Sequence, residues 1–525
     1  MARATFYGLR GKSLNTFIVW AVICPAYILF GWNNALAGGL LDLESWIRTF
    51  PRIDTLTTTG EQNADNSRVQ GTVVSMYTLG CFFGSLSCIW IGDRLGRIRT
   101  IMLGAVLNVI GSILQASSFS LPQLIVGRIV SGLGFGALSA TAPNWQSECS
   151  KPEHRGSAVI LESVFISFGL ALVEWVTYGA SYASSSLSWR LPMALSAVWS
   201  LIVLSVISPL PESPRWLVKK GRLDEAKEVL SALYDTTDEN DETRAIQDIQ
   251  LSLAATGEGH FFDIFTNGKQ RLFHRTCLAA AGQLFQQTCG IDTIAFYVST
   301  IFQQDLGLSG VQSRILGAAV FTWQMIASPI GVLTVDRIGR RKLMLTSCLG
   351  MGISMAILAG TVSQPDNRAA IIVAGAFIFI FSGFFPIGFL GLTFLYASEI
   401  APLSVRVPIT SISTGVAWLF NFVVAEVTPV GFSTISWRYY VVWAVLNLFM
   451  IFPSVYFFFP ETSGRSLEEV DEIFESTTGI FDTVNVGNNL PRKHIVKQGI
   501  ALVEKDQELQ AKQDGTKQAT VELEN

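Results

Sequence analysis

Apolar side chains fill long, nearly uninterrupted stretches of this chain, and polar residues collect in short segments between them. Twelve such runs occur, at about 16–38, 69–91, 101–119, 122–145, 157–180, 190–210, 275–304, 312–334, 343–362, 370–396, 408–431 and 438–459. A run of roughly 18 or more apolar residues is long enough to cross hydrocarbon as a helix. Helices are required there because no water is available to meet backbone N–H and C=O groups. The pattern therefore predicts an all-α polytopic membrane protein of twelve transmembrane helices. The runs stop between about 211 and 272, where "RLDEAKEVLSALY" sets Leu223, Ala226, Leu230 and Leu233 on one side of a helix. The expected organisation is an N-terminal segment (1–15), a six-helix bundle (16–210), a helical insert (211–272), a second six-helix bundle (273–459) and a polar tail (460–525). The tail reads as largely disordered, above all in "EKDQELQAKQDGTKQATVELEN".

Composition agrees. Of 525 residues 50% are hydrophobic and only 15% charged, against roughly 25% charged in soluble chains. Placing the N-terminus in the cytoplasm leaves only Arg48, Arg52, Arg68, Arg190, Arg314, Arg368 and Arg438 in the opposite loops. Arg128 lies within a run, and the rest of the 37 basic residues fall on the cytoplasmic side, the bias that orients membrane proteins. The first run lacks a small-residue cleavage site and reads as a retained helix. The seven cysteines and four histidines have no metal-ligand spacing, so neither metal nor cofactor is expected. No nucleophile–base pair suggests an enzyme, and nothing suggests a nucleic-acid partner. "GLGFG" (132–136) lies inside an apolar run with no strand before it. Its glycines, like Gly80 and Gly84, suit close helix packing.

The two bundles echo each other. "GDRLGRIRT" (92–100) recurs as "VDRIGRRKL" (335–343), "SECSKPEHRG" (147–156) as "SEIAPLSVRV" (398–407), and "PESPRWL" (211–217) as "PETSGRSL" (460–467). Three unlike motifs recurring in order at nearly one spacing describe a duplicated six-span unit. Such repeats build transporters with a substrate site between the halves, near the bilayer midplane. With "GRIVSGLGFG", "QQTCGID" and "PETSGRSLEE", these motifs make the chain resemble the sugar porter family of the major facilitator superfamily, most of all its fungal branch. The match runs from about Phe30 to Phe474. The resemblance implies the major facilitator fold, alternating access, a sugar substrate, a bilayer setting and function as a monomer.

Polar residues inside apolar runs carry the chemistry. "YILFGWNNALAGG" (27–39) holds Asn33 and Asn34, and an unmet amide in hydrocarbon costs roughly 2–7 kcal/mol. In "AAAGQLFQQTCGIDTIAFY" the amides of Gln283, Gln286 and Gln287 share one helix face. Clustered amides supply the donors and acceptors that a ring of hydroxyls needs. The same stretch holds Asp292 and ends at Tyr297. By resemblance these glutamines bind sugar, Gln324 stands where the family has an asparagine, and Trp418 and Asn421 match its Asn-Trp-x-x-Asn-Phe element. Departures are Ser163 for a glutamine, Phe394 for a tryptophan, Ala417 for an asparagine and Asp292 for an asparagine. They open the substrate to polyols, disaccharides or sugar acids as well as hexoses.

Arg128 and Glu162 are intramembrane charges and functional by default, and Glu174 lies near the outer end of its run. The repeated motifs place Asp93, Arg94, Arg97, Glu148 and Arg155 opposite Asp336, Arg337, Arg340, Glu399 and Arg406. The family uses such residues as ion pairs of a cytoplasmic gate. Its proton-coupled members carry an acid in "FGYD", where this chain has "FGWN", so Asn33 marks an absent carboxylate. That predicts facilitated diffusion, with proton symport through Asp292 as the alternative. A transporter-like nutrient sensor is the reading from another class.

Overall fold

A computed structural model of the chain describes residues 5–149, 155–235, 243–247, 249–251 and 261–491. The final stretch "EKDQELQAKQDGTKQATVELEN" lies outside the described residues. Within them the chain is helical and forms no sheet, apart from one isolated bridge between Phe6 and Leu9. Eleven helices there are long and apolar enough to cross a membrane, from Gly11–Leu36 to Arg438–Phe458. The run expected at 275–304 is instead two shorter helices, Leu272–Thr288 and Ile291–Thr300. They meet at Gly290, whose φ of +99° is open to glycine but strained for other residues. The break is tolerated because the side-chain amide of Asn447 donates to the freed carbonyl of Cys289 at 2.8 Å. Counting this broken pair as the seventh, the spans are numbered one to twelve along the chain.

Small residues let helices of one half approach closely. On span two (Gly60–Leu95) Gly80 and Gly84 face Gly132 and Gly136 of span four (Leu121–Cys149). A β-carbon on Gly132 would sit 2.1 Å from the Tyr77 carbonyl oxygen, and one on Gly136 2.2 Å from that of Cys81. Packing of this kind replaces the hydrophobic drive that lipid cannot provide. Between the halves, span two packs on span eleven (Arg406–Ile435), and span five (Arg155–Ala180) on span eight (Gly310–Ile338).

The insert forms helices Pro214–Lys219 and Leu223–Tyr234. Ala226, Leu230 and Leu233 are buried as expected, while Leu223 is exposed and Val229 and Ala232 complete the packed face. The N-terminal segment lies on this helix: Arg10 pairs with Asp235 at 3.1 Å and donates to the Ser231 carbonyl at 3.0 Å. The region after Pro460 corrects the expectation of disorder as far as Asn489. It forms helices Leu467–Ser476 and Thr483–Asn489, the first opened by a Ser466–Glu469 capping box. Arg275, fully buried at the start of span seven, donates to the Asp471 carboxylate and lies 4.3 Å over the Phe474 ring. This bond accounts for the order: a buried guanidinium needs its partner, and the partner is on the tail.

Candidate functional site

At the end of the bundle that carries helices Pro214–Lys219 and Leu467–Ser476, each half gathers its three motifs into one cluster. In the first half Arg97 pairs with Glu148 through Nε (2.9 Å) and Nη2 (3.0 Å), and Glu212 accepts the backbone N–H groups of Arg97 and Ile98. In the second Arg340 pairs with Glu399 at 2.8 Å and Asp336 at 2.8 Å, and Glu461 accepts the N–H groups of Arg340 and Arg341. Glu212 and Glu461 thus sit on the open N–H groups of spans three (Arg97–Ala116) and nine (Arg340–Val362), where negative charge is favoured. Each of these bonds joins elements of one half. Arg94 and Arg337 are exposed, and Arg406 donates to the Ala401 carbonyl at 3.3 Å. The side chains of Asp93 and Arg155 lie outside the described residues.

Midway along the bundle, between the halves, is a cavity of about 50 Å³. Gln286, Gln287, Asp292, Gln324, Trp418 and Asn421 line it. The bend at Gly290 lets Gln287 and Asp292 approach one partner on span eleven: the Asn421 amide donates to Gln287 Oε1 at 3.1 Å and Asp292 Oδ1 at 2.9 Å. Gln286 has a second task. Its Nε2 donates to the carbonyls of Phe389 (3.1 Å) and Leu390 (2.8 Å), which lie where span ten breaks between Arg368–Gly388 and Leu392–Ile400. Its Oε1 accepts from Gln287 at 3.2 Å. Phe394 also lines the cavity, on the second helix of that broken span.

Several buried polar atoms around the cavity have no protein partner: Asn34 Oδ1, Asp292 Oδ2, Asn421 Oδ1 and both amide atoms of Gln324. An unmet buried polar group costs roughly 1–3 kcal/mol, so the site is built for hydrogen bonds from a guest. Apolar surface faces these atoms. Trp418 lies 5.4 Å from Phe30 and 5.9 Å from Phe135 between ring centroids, and Phe30, Ile166 and Leu170 complete the first half's side.

Other expected residues fall elsewhere. Gln283 is fully buried, away from the cavity lining. Tyr297 donates to the Ala425 carbonyl at 2.9 Å. Asn33 turns into its own half, accepting from Ser196 at 2.8 Å and donating to Asn108 at 3.5 Å. Its neighbour Asn34 lines the cavity instead. Adjacent positions on a helix differ by about 100° in direction, so only the rotation of span one separates these two amides. Arg128 donates to the Val74 carbonyl at 2.7 Å beneath the Tyr77 ring, and among the described residues no carboxylate lies within ion-pair distance of it. Glu162 lies against the Tyr27 hydroxyl in the first half.

The sequence gives no local sign of a further group of contacts, at the opposite end of the bundle. There Asp42, just past span one, pairs with Arg314 of span eight at 2.7 Å. Glu426 of span eleven accepts from Thr72 of span two at 2.8 Å, and Trp175 of span five donates to Thr322 of span eight at 3.0 Å. All three cross between the halves.

The family model "Sugar (and other) transporter" matches residues 18–474. The chain is 35% identical to the MFS-type transporter oryC of Aspergillus oryzae, covering 94% of this chain and 92% of that one. It is also 35% identical to the sugar transporter STL1 of Saccharomyces cerevisiae, over 94% and 87% of the two chains. Among solved structures it resembles the proton:xylose symporter XylE bound to 6-bromo-6-deoxy-D-glucose, with a TM-score of 0.73 over 88% of this chain and all of that one at 24% identity. That likeness gives the major facilitator fold, with the cavity where its two halves meet. Matched along nearly its whole length, the chain belongs to the sugar transporter family of the major facilitator superfamily, a family of carriers and not of enzymes.

Proposed function

We propose that the protein carries a monosaccharide across the plasma membrane by alternating access, as a monomer with both termini in the cytoplasm, and by facilitated diffusion. The observation that supports a sugar is the pairing of unmet amide and carboxylate oxygens with an aromatic wall around one cavity. A pyranose has hydroxyls for the first and a C–H face for the second. Relatives described as glucose transporters, such as the high-affinity glucose transporter 1 of Candida albicans at 28% identity, fit this substrate class. The surroundings of Arg128 support facilitated diffusion, because Asn33 cannot cycle a proton and among the described residues no carboxylate pairs with the guanidinium.

One observation favours proton symport as a second reading: Asp292 Oδ2 faces the site without a partner. Uptake of labelled glucose into proteoliposomes under an inward proton gradient separates the two. Facilitated diffusion gives equilibration and no more. Accumulation above equilibrium that disappears in Asp292→Asn establishes symport. Competition by a panel of hexoses, polyols and sugar acids then assigns the substrate, and sugar-dependent signalling without uptake would make the protein a sensor.

A further inference from the structure

We propose that closing the bundle at the end opposite the helical insert takes up one proton, held on Glu174 beside the Asp42–Arg314 ion pair. The inference rests on the alternating-access reading and on no particular substrate.

The geometry is a charge imbalance sealed between the halves. Asp42 and Glu174 belong to the first half, and Arg314, from the second, pairs with Asp42 while the Asp42 side chain is wholly buried. Glu174 is 1% exposed, and its Oε1 has no partner. Its Oε2 lies 3.3 Å from where a β-carbon on Gly39 would stand, and 3.7 Å from that of Gly317. It is therefore wedged between the end of span one and span eight, within electrostatic reach of Asp42. Asp42 Oδ1 is buried and unpartnered as well.

Arg314 thus answers Asp42, and Glu174 is left a buried carboxylate with no cation paired to it among the described residues. An unneutralised carboxylate out of water costs several kcal/mol, whereas a protonated one does not. Among the described residues no other cation pairs with either acid. Span five adds the Tyr178 hydroxyl, near Arg314, and span seven adds the Ser299 hydroxyl, near Gly317. Arg190 of span six turns to the carbonyls of Ala116 and Ser118, Arg48 to Glu44, and Arg128 to Val74. Of the other acids at this end, Asp305 bonds to Tyr440, Glu426 to Thr72 and Ser75, Asp54 to Thr57, Asp65 to Arg52 and Glu44 to Arg48, while Glu61 and Asp366 are exposed. Burial pushes the Asp42 carboxyl up to about 6, with Arg314 only partly offsetting it.

Separation of the halves takes Arg314 away and wets both acids, which then ionise at neutral pH. The proton comes from the solution at that end and returns to it on reopening. Acid therefore favours closure, and each pH unit above the ordinary carboxylate range changes the closed-to-open ratio up to tenfold.

The test is a distance measurement on the full chain in lipid nanodiscs. Spin labels go on Ser184→Cys of the first half and Val311→Cys of the second, both exposed at this end, with the exposed Cys277 replaced by serine. Between pH 8 and pH 5 the short-distance population should rise in the parent chain. The rise should flatten most in Glu174→Gln, which removes the acid that takes the proton, shrink in Asp42→Asn, which frees Arg314 to answer Glu174, and steepen in Arg314→Gln, which leaves two acids to neutralise. A parent slope retained in both acid variants overturns the latch while leaving alternating access intact. A distance that neither pH nor any of the panel of hexoses, polyols and sugar acids changes overturns both.

Discussion

The motif clusters at the insert's end of the bundle are nearly superimposable in chemistry, whereas the two faces of the central cavity are not alike. Arg97–Glu148–Glu212 and Arg340–Glu399–Glu461 repeat the same guanidinium–carboxylate pair and the same carboxylate on a helix start. The cavity takes its polar atoms mainly from the second half, through Gln287, Asp292, Gln324 and Asn421, and from the first half chiefly Asn34. The difference separates two jobs. Bracing a six-helix unit is needed twice and has kept its chemistry in both copies. On the proposed function, holding a substrate is needed once, which suits one polar face and one largely apolar cover.

The largest expected effect tests the symmetric part. Arg97→Ala and Arg340→Ala should each destabilise the protein by about 3 kcal/mol, the low end for breaking a buried ion pair, because Glu148 and Glu399 are only partly buried. Arg340, 8% exposed against 16% for Arg97, should lose more. Thermal unfolding in detergent reads both, and a loss confined to one half would end the equivalence. Next in size is the asymmetric part. Asn421→Ala removes the donor shared by Gln287 and Asp292, and hydrogen bonds to charged groups are worth roughly 1.5–3 kcal/mol. Sugar affinity should fall by about 10- to 100-fold, measured by equilibrium binding, while Ile166→Val on the facing half should change it only slightly. Equal losses would show that recognition is shared.

A smaller effect is expected at the bend that makes the two faces differ. Gly290→Ala forces a side chain into left-handed backbone, about 1–2 kcal/mol, with Trp443 only 3.0 Å from the new β-carbon. Transport should slow more than folding suffers, read as uptake rate against melting temperature. The smallest effect lies in the loop before span two. Burial pushes Asp54 up, but hydrogen bonds from Thr57 and Leu56 outweigh it and hold the carboxyl below its ordinary value. A depressed folded value means stability present above the unfolded value of about 3.9 and lost as pH falls through the folded one. Hydrogen exchange of Leu56 and Thr57 should therefore speed up in strong acid while the spans stay protected.

Much of the fold was legible because the bilayer makes span length and apolarity obligatory, and the repeat was legible because its motifs are local in sequence. The glutamine row of span seven was readable for the same reason, yet its meaning was not uniform. Gln287 faces the cavity, Gln286 also closes the break of span ten, and Gln283 is packed away from the lining. The order after Pro460 escaped notice because its anchor, Arg275, lies far away in the chain.

Asn33 and Asn34 draw the line between the two kinds of knowledge. Sequence alone determined the helical membrane class, the duplicated bundles and the polar row of span seven, since each follows from composition or spacing, while resemblance to the family marked the missing acid of span one. Tertiary structure alone decided which of two adjacent amides reaches the cavity, which half supplies the polar face, and that Asp42, Glu174 and Arg314 meet across the interface. Those outcomes depend on the rotation and contact of helices distant in the chain, and no local pattern encodes either.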